Sequence, residues 1–203
     1  RNPGTEQELF SMDELIAAFS FEHVHKGGAR FDPDKAKWFN EQYLRKQDVS
    51  SIATRLRDAF ASTYQLQATD KKLQPEYLQK AIMLMKDRVQ FENEMIALGS
   101  YLFVAPETYD EAVIVKKWNP GLYQFFSALK DAFSECTTFG TAEIDGAIKQ
   151  TASSQGIKPG EIMQLLRVFI SGQGAGVDLL GMMELLGKDE VMQRLTNALA
   201  GRS

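Results

Sequence analysis

Apolar residues in this chain recur at spacings of three and four and almost nowhere alternate one by one, which narrows the folds open to it. Ile52, Leu56, Ala59, Phe60 and Tyr64 mark one such stripe; Leu78, Ala81, Ile82, Met85 and Val89 mark another. A period of 3.6 buries one side of a helix, whereas a half-buried strand needs a period of two. Helix start signals agree. Ser11-Met-Asp-Glu14 is a capping box opening a short helix through Ala18. Asp32-Pro33 opens a second, running from Lys35 to about Arg45. Further helices are predicted from about Val49 to Tyr64, from Pro75 along the second stripe, and from about Glu92 to Phe103. Others are predicted at 109–117, 121–134, 142–153, 160–170, 177–186 and 188–200, with Thr141 as an N-cap and Gly156 and Gly187 as stops. The short polar connections at 65–74, 104–108, 135–140 and 154–159 leave no room for a parallel sheet. The expected fold class is all-α, built of packed helical bundles.

Bulk properties restrict function less tightly. No apolar stretch approaches the roughly 18 residues of a membrane span. The single cysteine, Cys136, has no disulfide partner and reads as a small buried hydrophobe in a reducing, cytoplasmic compartment. A net charge of −4 argues against indiscriminate nucleic-acid binding but leaves room for a local basic face. His23-x-His25 lacks the further ligands a metal site needs. Lys116-Lys117-Trp118 reads as a solvated face beside a core tryptophan, and the eight methionines as core fillers. The chain opens on Arg-Asn-Pro-Gly rather than Met and without a secretory signal, so it is expected to be part of something longer.

Ser171 to Leu180, "SGQGAGVDLL", places Gly172, Gly174 and Gly176 after an apolar run. A nucleotide cradle would need a preceding strand, and either a later acidic residue or a Gly-Lys-Ser/Thr sequence. With helical spacing upstream and Asp178 in place of a lysine, a helix–helix connection is the reading from composition alone.

Three stretches add a resemblance. "NPG…FSMDELIAAFSFEHVHKGGARFDPDKAKWFNEQYL" (Asn2 to Leu44), "IMLMKDRV" (Ile82 to Val89) and "IMQLLRVFISGQGAGVDLLGMMELLGKDEVMQRLTNAL" (Ile162 to Leu199) resemble, in order, the part of bacterial-type glutamyl-tRNA synthetases that follows the catalytic half. Phe31, Asp32, Lys35, Trp38, Asn40 and Tyr43 match the first pattern, while Ala36 and Leu44 depart from it. The His-Ile-Gly-His-like and Lys-Met-Ser-Lys-Ser-like ATP signatures of that family are not in this sequence. The resemblance therefore implies a stem-contact region at 1–47, a first anticodon-binding subdomain at 48–117 and a second at 118–203, forming a helical cage. It implies tRNA(Glu) as partner and a monomeric parent that uses ATP and magnesium, with no cofactor and no catalytic residue in this piece.

The resemblance also implies roles for named residues. Arg88 would read the third anticodon base, cytosine in glutamate tRNAs and guanine in glutamine tRNAs. A guanidinium suits cytosine, whose O2 and N3 are acceptors, and meets guanine's donors badly. On the residues alone, Arg88 reads first as a solvated helix charge, paired with Asp87 or Glu92. Arg167 and Gln164 would bind the anticodon loop; otherwise Arg167 is a charge favoured near a helix C-terminus. Gly174, Gly176, Val177 and Leu179 would lie against the first two anticodon bases, although Val177-Asp178 stands where a Pro-Gly-like pair is usual. Lys35 and Trp38 would touch the tRNA inner corner, with core packing the alternative for Trp38, and Lys26, Arg30 and Lys37 would extend that basic face. The competing function is an all-α protein-interaction module that binds no RNA.

Overall fold

Side-chain caps set where the helices begin. A computed structural model of the chain describes residues 7–21 and 31–202, and these residues form twelve α-helices and no strand. Ser11 and Glu14 close the capping box of α1 (Met12–Ala18): Ser11 Oγ accepts from the Glu14 amide at 3.2 Å, and Glu14 Oε2 from the Ser11 amide at 2.6 Å. Asp32 accepts from two first-turn amides of α2 (Pro33–Lys46), and Asp48 caps α3 (Val49–Thr63). Each such bond satisfies an amide that has no partner within the helix. Gly156 and Gly187 stop their helices at φ +67° and +83°, as the sequence leads one to expect.

Three predicted features are corrected. The stripe ending at Val89 is not one helix. α4 (Pro75–Met85) stops at Met85, a 3-10 turn spans Lys86–Arg88, and Val89 is extended yet buried. The helix predicted from Glu92 to Phe103 is split into α5 (Glu94–Leu98) and α6 (Ser100–Phe103) around Gly99. There α4 comes so close that a Cβ on Gly99 would stand 2.5 Å from Met85 Sδ. Period counts cannot reveal either feature, because both come from packing between segments. Thr141 is the first residue of α9 (Thr141–Ser154), not its cap. The N-cap is Gly140, whose amide donates to Glu143 at 3.2 Å, while the Thr141 amide donates to Glu184 at 2.9 Å.

The remaining helices are α7 (Glu111–Lys117), α8 (Gly121–Glu135), α10 (Pro159–Ser171), α11 (Leu179–Leu186) and α12 (Lys188–Leu199). Phe60 stacks on Phe103 at 4.3 Å where α3 meets α6, and Trp118, Phe126 and Phe169 form a second aromatic group between α7, α8 and α10. α11 packs against both α4 and α9, which joins the two halves through one continuous core. Met85, Met95, Met182 and Met183 fill that core as expected, but Met12 and Met83 are exposed. Cys136 is half-buried rather than buried, its thiol donating to the Ala132 carbonyl at 3.4 Å. No helix among the described residues is long and apolar enough to cross a membrane.

Candidate nucleic-acid interface

Arg88 ends the 3-10 turn below α4 with its side chain exposed. The carboxylates that the sequence offers it are taken by others. Asp87 faces Arg45 at 3.6 Å, and Glu92 receives Arg55 in two bonds of 2.6 and 3.0 Å. The pairing of Arg88 with Asp87 or Glu92 is therefore not what forms, and among the described residues no hydrogen bond or ion pair engages the Arg88 side chain. An exposed guanidinium with no internal anion keeps its full donor set for a ligand.

Arg167, on α10, is half-buried, and its Nη1 donates to the Val177 carbonyl at 2.6 Å. Burial pulls its titration below the usual arginine range; Tyr101 and Asp178 oppose this, and the positive charge of Arg88 adds to it. Gln164 is exposed one turn earlier on the same helix, its Nε2 3.6 Å from where a Cβ on Gly174 would lie.

The glycine loop is a helix–helix connection. α10 runs to Ser171 and Gly172 caps it in the left-handed conformation at φ +79°. Its glycines answer to close internal packing. A Cβ on Gly172 would meet the Thr108 carbonyl at 2.6 Å, one on Gly174 would meet Asp110 Oδ2 at 2.8 Å, and one on Gly176 would meet Tyr101 Oη at 2.7 Å. The missing Cβ atoms thus let the loop lie on the 104–113 segment and on Tyr101. Val177 and Leu179, expected at the bases, turn their side chains into the core at 0% and 4% exposure; Gln173, Ala175 and Asp178 are the exposed residues of the loop, and the first two were not singled out in the sequence. The main-chain N–H and C=O groups of Gly174, Ala175 and Gly176 make no hydrogen bond within the described residues, so three successive residues keep donors and acceptors for a ligand.

α2 packs on the turn that carries Arg88. Its C-terminal end meets the 3-10 turn through Arg45 and Asp87, and the Asn40 side-chain amide donates to the Gln90 carbonyl. Trp38 lies seven residues before Arg45, about 10 Å along the helix axis. It is 37% exposed, edge-on to Phe39, so the core alternative for Trp38 does not hold. Lys35 is half-exposed, pairs with Glu8 at 3.0 Å and sits 5.5 Å from the Phe39 ring centre. Lys37 reaches Asp34 at 3.7 Å. Lys26, Arg30, His23 and His25 lie outside the described residues. Within the described residues no three His, Cys, Asp or Glu side chains gather as a metal site would need.

Fold and site define an all-α domain with an exposed arginine at the turn after α4 and, held by Arg167, a loop whose main chain is unsatisfied. Its family follows from comparison with known proteins: the anticodon binding domain family matches residues 49–199, and this chain belongs to that family. It is 39% identical over 199 residues to a glutamate–tRNA ligase of Cytophaga hutchinsonii, covering 98% of this chain and 37% of that protein. To the glutamate–tRNA ligase of Chlorobaculum parvum it is 34% identical, covering 97% and 40%. Among solved structures, a glutamate tRNA ligase from Elizabethkingia meningosepticum in complex with its amino acid superposes with a TM-score of 0.88 at 33% identity, over 99% of this chain and 39% of that one. The chain spans about two fifths of the length of the curated relatives it matches.

Proposed function

We propose that this chain is the tRNA-binding part of a glutamate–tRNA ligase, holding the anticodon loop and inner corner of tRNA(Glu) while a catalytic part attaches glutamate. The observation that carries this reading is Arg88, exposed and without an internal anion, on a domain whose Arg167 holds the end of a glycine loop with free main chain. In this role Arg88 donates to O2 and N3 of the third anticodon base, which a splayed-out loop nucleotide leaves accessible. Gln164 and the free main chain of Gly174–Gly176 meet the first two bases. Arg167 and the buried Val177 and Leu179 hold that main chain in place. Lys35 and Trp38 meet phosphate and ribose at the inner corner. The division at 1–47, 48–117 and 118–203 belongs to this reading, with α7 on α10 as a contact across the second boundary.

ATP and magnesium would serve the catalytic part. No chemical step is assigned to this chain. A cytoplasmic, monomeric parent fits the reading.

The test is a binding titration of the 203-residue chain with tRNA(Glu) and with the same tRNA carrying guanine at the third anticodon position. Tighter binding of the cytosine form, weakening as salt rises, is expected. Binding that ignores the anticodon would reject the assignment in favour of a protein-interaction module.

A further inference from the structure

The free main chain of Gly174–Gly176 ends at a residue whose amide and carbonyl are both held from within. The Val177 amide donates to Tyr101 Oη at 3.1 Å, and the Val177 carbonyl accepts from Arg167 at 2.6 Å. Tyr101, 76 residues away in sequence, is itself fixed: its ring is buried, and its carbonyl accepts from Arg194 Nη1 at 2.7 Å. The same Nη1 donates to the Ile170 carbonyl at 2.8 Å, just before the loop begins. The Arg194 side chain is wholly buried, and its Nε and Nη2 are held by Glu190 Oε1 at 2.9 and 2.8 Å. A rigid chain of contacts thus runs from α12 through α6 to the end of the loop.

Peptide geometry gives this anchor a consequence. The described residues contain no cis peptide bond, and in a trans peptide the N–H and C=O point in opposite directions. Fixing the Val177 N–H on the buried tyrosine therefore turns the Gly176 carbonyl away from Tyr101. That carbonyl has no hydrogen bond inside the protein. The geometry points to Tyr101 as a positioning residue that presents the Gly176 carbonyl as an acceptor for a ring N–H of an anticodon base. The inference rests on the proposed function and adds to it a residue and a ligand group: a base donor, complementary to the base acceptors assigned to Arg88.

The experiment uses the 203-residue chain and an anticodon stem-loop with the sequence UUC, unmodified or methylated at N3 of one uridine at a time. Methylation removes the ring N–H donor. Tyr101→Phe removes the acceptor that fixes the loop. Tyr101→Phe is expected to weaken binding of the unmodified stem-loop by about two- to tenfold, the worth of one hydrogen bond. It is expected to leave the preference for cytosine over guanine at the third base unchanged. Methylation at one uridine should weaken binding to the unsubstituted chain but weaken it no further in Tyr101→Phe, and that coupling separates positioning from a general loss of stability. Gly176→Ala, whose Cβ would press on Tyr101 Oη, provides a second variant with the same expected coupling. Additive effects at both uridines, or equal loss of selectivity at all three bases, would overturn the role of Tyr101 and leave the tRNA assignment standing. If the unsubstituted chain shows no dependence on the anticodon, the functional reading fails and this inference falls with it.

Discussion

Glu92 stands four residues from Arg88, yet its carboxylate is closed by Arg55 from α3 at 2.6 Å. With Asp87 turned to Arg45, Arg88 has nothing inside the described structure to lose on substitution. Arg88→Gln is therefore expected to leave thermal stability within about 0.5 kcal/mol of the parent, the usual range for surface changes. In binding titrations it should cost about 1–3 kcal/mol of discrimination between cytosine and guanine at the third anticodon base. Unchanged discrimination would remove Arg88 from the interface.

Two glycines make opposite predictions about stability. Gly174→Ala places a methyl 2.8 Å from Asp110 Oδ2 and 2.9 Å from Val113 Cγ2, against the cap of α7, and should destabilise by about 1–3 kcal/mol through overpacking. Gly146 is exposed in the middle of α9 with nothing within 4 Å of a Cβ. Gly146→Ala should stabilise by about 0.5–1 kcal/mol, because alanine loses less backbone freedom in a helix. Denaturant unfolding of the two variants tests both signs.

These contrasts show what was legible in the sequence. The helices were legible because caps and stripes are local: Ser11 with Glu14, and Asp32 with Pro33, can be recognised without any distant residue. Arg88 and Arg167 could be singled out through resemblance; the structure leaves the Arg88 side chain exposed and uses Arg167 to hold the Val177 carbonyl. The orientation of Val177 was not legible, since it depends on Tyr101, 76 residues earlier, and on the density of the core around α11. The same holds for Gly99, whose break in the helix answers to Met85 on α4. Spacing along one segment carries no information about which other segment will press on it.

Lys35 should act on affinity without acting on sequence preference. It pairs at the surface with Glu8, a contact worth about 0–1 kcal/mol at such exposure. Lys35→Ala is expected to weaken tRNA binding equally for every anticodon. It should also reduce the slope of log affinity against log salt by about one, as for a single phosphate contact. Titrations across a salt series read this directly, and a change in base preference would contradict the phosphate role.

Arg194 and Glu190 tie stability to pH. Burial pushes the Glu190 carboxyl up, but the Arg194 hydrogen bond and charge, with Lys72 and Lys71, outweigh it and hold the group below its ordinary 4.5. A carboxylate depressed in the folded state contributes stability that is fully present above the unfolded value and lost as pH falls through the folded one. Unfolding free energy should therefore decline as pH drops below about 4.5, with Glu190 as one contributor. Arg194→Met removes the partner and leaves the Tyr101 and Ile170 carbonyls without their donor. It should cost about 3–5 kcal/mol near neutral pH, as breaking one side of a buried pair does. Because that pair is what depresses Glu190, the variant's stability should also fall less steeply on acidification. Urea titrations of parent and variant at neutral pH and at pH values below 4.5 measure both effects; parallel acid profiles would show that Glu190 is not held by Arg194.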